Sequence, residues 1–195
     1  MTKRCALEER NTLETKIRCA IDLDGAGKTR LESGIAFFDH MLNAFARHGL
    51  FDLELSCRGD LDVDGHHSVE DCGIVLGKAI AKALGDKRGI RRVGSCTLPM
   101  DESLAFCALD VSARPYLAFA ADFPTQRCGG FDTELAKEFF RAVAVNAGLT
   151  LHLRVQGENS HHMLEALFKA FGRALRQGVE LDERVQGVPS TKGVL

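Results

Sequence analysis

The chain has 195 residues, 45% hydrophobic and 27% charged, which fits a globular domain with a sizeable core and excludes a disordered or collagen-like chain. The formal charge of −2 excludes a general attraction to nucleic acid or an anionic membrane, and no apolar run approaches the length of a membrane span. The opening "MTKRCALEERN" lacks an apolar core, so no signal peptide is expected. The seven cysteines are scattered and never form C-x-x-C, which argues against a disulfide framework or a thiolate zinc site. A cytoplasmic protein whose cysteines mostly fill core positions is expected.

"TKIRCAI" (15–21) alternates as a strand does, with Glu14 just before it. "DGAGKT" (24–29) looks like a phosphate-binding loop, but the full pattern needs a glycine where Asp22 stands. The following "RLESG" reads as a strand, so a hairpin turn is expected instead. "GIAFFDHMLNAFARHG" (34–49) places Ile35, Phe38, Leu42, Phe45 and Ala46 at helical spacing and is expected to stop at Gly49. The strand "FDLELSC" (51–57) and a helix opened by "HHSVE" (66–70) follow.

The plan then repeats. "ESLAFCALD" (102–110) matches "ETKIRCAID" (14–22), pairing Glu102 with Glu14, Cys107 with Cys19 and Asp110 with Asp22. A helix near 132–146, the strand "LTLHLRV" (149–155) and a helix opened by "HHMLE" (161–165) complete the second copy. Leu164, Leu167, Phe171 and Ala174 form the buried stripe of that last helix. Gly77 and Gly172 fall at equal distances after their histidine pairs, and "PTQRCGG" (124–130) reads as an insertion. A repeat of about half the chain predicts duplication and fusion. The expected fold class is α+β: an internally duplicated unit of a four-stranded mixed sheet plus two helices, with the helices packed between the two sheets. Residues 1–88 and 89–185 form the two halves of one integrated domain, and 186–195 a tail.

The two HHxxE sequences suit a metal. On a helix, residues four apart differ by about 40° in direction and adjacent residues by about 100°. His66 with Glu70, and His161 with Glu165, can therefore each grip one ion, while His67 and His162 point elsewhere. Two facing helices would exchange those odd histidines and build two equivalent sites. Imidazole with carboxylate suits Mn, Fe or Zn better than calcium. Asp64 and Asp71 are candidates to orient the ligand histidines. "ENSH" (158–161) also offers the E-x-x-H of a di-iron bundle, but Gly157 precedes it and four long helices are lacking.

"GIAFFDHML", "DGHHSVED", "PMDESL", "NSHHMLEALFKAFGRAL" and "PSTKGVL", in that order, resemble the imidazoleglycerol-phosphate dehydratases of histidine biosynthesis over nearly the whole chain. The monofunctional form is expected, since the length leaves no room for the phosphatase domain fused in some relatives. The resemblance implies a fold of the ribosomal protein S5 domain 2-like kind. It implies a lyase that dehydrates D-erythro-imidazoleglycerol phosphate to imidazoleacetol phosphate through an imidazolate-type intermediate. Two Mn(II) ions per active site and a 24-subunit assembly with its sites between subunits belong to the same expectation.

Residue by residue, the resemblance assigns His40, His67, His161 and Glu165 to one ion and His66, Glu70 and His162 to the other. Glu14 matches the acid–base carboxylate, and His67 and Glu165 count with it as catalytic. Arg92, Arg114, Ser190, Thr191 and Lys192 are expected on the phosphate, and Glu14, His40, His48 and Lys169 on the substrate. Many relatives read E-H-F-F where this chain has "KEFF" (137–140). Glu138 is therefore expected to replace a histidine ligand, or else to form a salt bridge with water in its place.

The chemistry accounts for these residue types. A proton on carbon is not acidic by itself, a metal on a ring nitrogen stabilises charge in the ring, and a carboxylate then moves the proton. A phosphate clamp restricts orientation, and a tail lysine is placed to close over it. Each residue also has a plain reading: Glu14 as a solvated strand residue, the arginines in surface ion pairs, His40, His48 and His152 as structural. A metal-assembled shell without catalysis, or a metal-dependent hydrolase, would use the same HHxxE pairs. A shell would have no use for Glu14, Arg92, Arg114 and Lys192, and substrate screening would separate out a hydrolase.

Overall fold

The computed structural model describes residues 3–193. Positions 1 and 2, and positions 194 and 195 at the end of the expected tail and of "PSTKGVL", lie outside the described residues. The chain runs β1 (Cys5–Asn11), β2 (Thr15–Asp22), β3 (Thr29–Glu32), α1 (Ala36–Gly49), β4 (Asp52–Gly59) and α2 (His66–Leu84). It then repeats the order as β5 (Val93–Met100), β6 (Ser103–Asp110), β7 (Tyr116–Ala120), a two-stranded hairpin of β8 (Arg127–Cys128) and β9 (Phe131–Asp132), α3 (Leu135–Ala147), β10 (Thr150–Gln156) and α4 (Ser160–Val179). The hairpin occupies the expected insertion and the residues just after it.

Both four-stranded sheets have the same topology. The first is ordered β1-β2-β4-β3 and the second β5-β6-β10-β7. In each, one outer pair is parallel, β3 with β4 and β7 with β10, and the others are antiparallel. The parallel pairs follow from helical crossovers through α1 and α3. Alternation builds each sheet: Thr15, Ile17, Cys19 and Ile21 of β2 face inward while Lys16 and Arg18 face out. The fold is therefore the expected duplicated α+β unit. α2 covers β1 and β2, α4 covers β5 and β6, and the helices meet in the middle as the pairs α1 with α4 and α2 with α3.

An aromatic seam joins the halves. Phe45 of α1 stacks on Phe171 of α4 with ring centroids 5.1 Å apart, and Phe38 meets Phe139 edge-on at 5.2 Å. Phe139 stacks on Phe168 at 5.2 Å. All five rings are fully buried, each contributing about 1.5–3 kcal/mol by burial. Of the seven cysteines, Cys19, Cys57, Cys72 and Cys107 are buried, Cys96 and Cys128 half-buried, and Cys5 exposed; none is paired.

α1 ends at Gly49 as expected, but the glycine is not the residue that turns the chain. Gly49 is the last helical residue, and it is Leu50 that takes the left-handed turn, with φ 57°. Gly49 serves for space: a Cβ there would meet the Phe51 ring at 2.4 Å and the Gly172 carbonyl oxygen at 3.0 Å. Gly172 returns the contact, since its own Cβ would lie 2.3 Å from the Phe45 carbonyl oxygen. Gly77, its repeat partner, gives α3 the same close approach against Val143 and Asn146. Gly172→Ala is expected to cost about 1–3 kcal/mol in denaturant unfolding, as overpacking does. Gly130→Ala, in open space, is expected to stay within about 0.5 kcal/mol.

Candidate active site

Two side chains set the starts of the histidine helices. Asn159 caps α4, its Oδ1 accepting from the backbone N–H of His161 at 2.9 Å and of His162 at 3.3 Å. Asp64 does this work ahead of α2, its Oδ1 accepting from the His66 N–H at 2.7 Å. Both pairs thus begin their helices with the backbone fixed.

The α1–α4 crossing then brings three ligand-type groups together. His40 Nε2 and His161 Nε2 each lie 3.2 Å from Glu165 Oε2, and one ligand atom from each residue falls within 4.8 Å of the others. Phe37 walls the group, edge-on to His161 at 5.1 Å. Only 12% of the Glu165 side chain is exposed, against 45% for each histidine. Burial works against the Glu165 charge, but Lys169 Nζ at 2.6 Å and the His40 ring outweigh it and hold the carboxyl below its ordinary range. His48, two turns along α1, is pushed down by burial and by the Lys169 and Arg173 charges.

The odd histidines diverge as helix geometry requires. His66 Nε2 sits 3.7 Å from Glu70 Oε2, but His67 turns to Asp60, donating from Nδ1 to Oδ2 at 2.9 Å. Its Nε2 is 3.8 Å from Glu14 Oε1, whose side chain is 55% exposed. His162 donates from Nδ1 to Glu102 Oε2 at 2.8 Å. The Asp60 hydrogen bond raises the His67 pKa, and Glu102 raises that of His162. Glu102 itself, held by His162 and then by the Ser103 hydroxyl, falls to about 2. Within one chain, neither His67 nor His162 reaches the His40–His161–Glu165 group. Glu138 faces Arg141 at 3.4 Å.

Asp64 and Asp71 do not orient the histidine rings. Asp64 holds only backbone, and Asp71 turns inward to accept from Thr15 Oγ1 and to pair with Arg10 at 3.0 Å. The carboxylates that meet the rings are Asp60, at His67 Nδ1, and Glu102, at His162 Nδ1. Glu102 was visible as the repeat partner of Glu14, whereas Asp60 carried no signal beyond standing in the loop before the pair.

The phosphate candidates gather at the other end of α4. Arg92 holds Asp110 with two hydrogen bonds, at 2.6 and 2.9 Å, and donates to the Pro189 carbonyl at 2.8 Å. Arg114 approaches the same Asp110 at 3.7 Å. The tail is thereby seated next to both arginines, and the Ser190 hydroxyl accepts from the Lys192 N–H at 3.2 Å, so 190–192 form a turn there. Arg92 is a non-glycine residue at φ 73°, a costly conformation, with its N–H donating to the Gly178 carbonyl at 2.8 Å. From Glu165 to Gly178 the helix rises roughly 20 Å, so the two clusters of one chain stand far apart. The false phosphate loop is closed off: the N–H groups of Ala26 and Lys28 donate to Asp52 Oδ1 at 2.8 and 2.9 Å, leaving neither for a ligand.

Fold and site together define a duplicated α+β enzyme scaffold with imidazole–carboxylate clusters at its helix starts. The family model for imidazoleglycerol-phosphate dehydratase matches residues 33–175. The imidazoleglycerol-phosphate dehydratase of Moorella thermoacetica is 58% identical over 193 residues, covering 98% of each chain. That of Acetivibrio thermocellus is 57% identical over 187 residues, 95% of this chain and 96% of its own. Two solved structures superpose with a TM-score of 0.83. One is the Staphylococcus aureus enzyme, at 38% identity over 91% of this chain and 99% of that one. The other is the Pyrococcus furiosus enzyme in complex with (S)-C348, at 36% identity over 96% and 100%. The chain belongs to the imidazoleglycerol-phosphate dehydratase family, hydro-lyases of histidine biosynthesis. Among the described residues no helix is long and apolar enough to cross a membrane.

Arg92→Ala removes the anchor of the tail. A hydrogen bond from a charged donor contributes roughly 1.5–3 kcal/mol, so tryptic cleavage after Lys192 is expected to accelerate about tenfold or more, read by mass spectrometry.

Proposed function

We propose that this chain dehydrates D-erythro-imidazoleglycerol phosphate to imidazoleacetol phosphate, with two Mn(II) ions per active site, in a cytoplasmic 24-subunit assembly whose sites lie between copies. The observation that carries the proposal is the convergence of His40, His161 and Glu165. Two imidazole nitrogens and a carboxylate oxygen, with no thiolate among them, fit a borderline or hard divalent ion. His66 and Glu70 offer a second, similar pair.

His67 from a neighbouring copy would join His40, His161 and Glu165, and a neighbour's His162 would join His66 and Glu70. Glu138, the repeat counterpart of His40 on the helix packed against α2, is the further ligand proposed there. Three facts support completion by a second copy. Adjacent histidines diverge on their helices. The phosphate candidates stand roughly 20 Å along α4 from Glu165, beyond the reach of a ring joined to phosphate by three carbons. Leu13, Leu61 and Val63, flanking Glu14 and His67, are exposed apolar side chains that a neighbour would cover.

The reaction removes a hydroxyl from the carbon beside the ring and a proton from the next carbon, leaving an enol that becomes the ketone. Bound metal supplies a Lewis acid for a ring nitrogen, stabilising negative charge on the imidazole. Glu14 moves the carbon-bound proton, a role supported by its 3.8 Å approach to His67 Nε2. Arg92, Arg114, Ser190, Thr191 and Lys192 bind the phosphate, with Lys192 on a tail that closes over it. His40, His48 and Lys169 line the substrate's other end.

Turnover of imidazoleglycerol phosphate by metal-stripped protein is expected only after Mn(II) is restored; a loaded, assembled but inactive protein would refute the assignment. Glu14→Gln is expected to lower kcat by about 10²–10⁴ with bound Mn(II) unchanged. Glu138→Ala is expected to lose affinity for one of the two ions. Full metal content and affinity in that variant would leave Glu138 as the salt-bridge partner of Arg141.

A further inference from the structure

The duplication gave the chain two equivalent carboxylates, Glu14 and Glu102, each just before the second strand of its half. The structure shows them in different states. Glu102 is fully engaged: Oε1 accepts from Ser103 Oγ at 2.8 Å and from the backbone N–H groups of Glu158 and Asn159 at 3.2 and 3.0 Å, while Oε2 accepts from His162 Nδ1. Glu14 makes only the loose 3.8 Å approach to His67 Nε2.

Two sequence differences produce the split. Thr15, the counterpart of Ser103, gives its hydroxyl to the buried Asp71, where the second half has Ala166 and so leaves the Ser103 hydroxyl free for Glu102. The loop from β10 to α4 is also shorter than that from β4 to α2, and it lays the Glu158 and Asn159 backbone on Glu102. In the first half the longer loop supplies Asp60, which takes His67 Nδ1 in place of the strand glutamate.

We infer that the ancestral carboxylate pair has divided its work: Asp60 and Glu102 are positioning residues that accept from His67 Nδ1 and His162 Nδ1 and so present each Nε2 lone pair to an ion, while Glu14 alone stays free to move a proton. An imidazole that donates from Nδ1 to a carboxylate has its tautomer and ring orientation fixed and its other nitrogen made more basic. The inference rests on the metal reading above and deepens it. Asp101 is also exposed and 3.8 Å from His162, but it approaches Nδ1, on the Glu102 side of the ring, whereas Glu14 approaches His67 at Nε2, the nitrogen offered to the ion.

The test is Mn(II) titration of metal-stripped, assembled protein, with free Mn(II) followed by electron paramagnetic resonance. Asp60→Asn and Glu102→Gln are each expected to weaken one of the two ions 10–100-fold and leave the other unchanged. Glu14→Gln is expected to leave both within about twofold. Glu102→Asp keeps the charge but draws the carboxylate back by one methylene; it is expected to show the same one-ion loss and serves if Glu102→Gln does not assemble. Unmoved affinities in the Asp60 and Glu102 variants, equal loss of both ions, or loss in Glu14→Gln would overturn the inference. Wild-type protein that takes up no Mn(II) would remove the metal reading and the inference together. Normal uptake with unmoved variants would remove the inference alone.

Discussion

How closely α1 can lie against α4 decides what the helix starts can hold. The approach is set by backbone against backbone, Gly49 against Gly172 beneath the stacked Phe45 and Phe171 rings. At this closeness the first turn of α1 delivers His40 to Glu165, whose charge survives burial because Lys169 sits one turn on in the same helix. A methyl group at the crossing would meet backbone on the facing helix, so the helices would have to move apart. Packing and site are the same contact seen at two ends.

The duplicated unit supplies two such frames, and their differences are as informative as their likeness. The sheets share strand order and register sense, and both histidine pairs begin helices behind an acceptor side chain. The divergence lies in single groups: Asp71 against Ala166, Thr15 against Ser103, a long loop against a short one. Each changes where one hydroxyl or one pair of backbone N–H groups is spent, and that decides whether a neighbouring carboxylate is held or free. Small redirections of hydrogen bonding are enough to make two halves of one ancestry chemically unequal.

Much of this was legible in the chain itself. Strand alternation around Ile17 and Cys19, helical stripes through Phe38 and Leu164, and the doubled order of elements determine the two-sheet frame, because burial periodicity is a local property. The divergence of His66 from His67 follows from helix geometry alone. What could not be read depends on contacts between distant segments. Gly49 looked like a stop signal, yet it is a spacer, since its partner lies far along the chain. Asp71 looked available to a histidine, yet it faces Thr15 across the core. Arg92 meets Asp110 only through the register that sets Val93 opposite Asp110, and it reaches Pro189 only after the tail has folded back.

The length of α4 has a consequence for the assembly proposed here. One end of the helix carries His161 and Glu165, and the other receives Arg92 and with it the tail. In that assembly a rigid rod of this kind would make each chain a strut between two reaction centres, giving ligands to one and a phosphate seat to another. Damage along the rod would then be shared between neighbours, while two chains injured at opposite ends could between them still compose an intact centre.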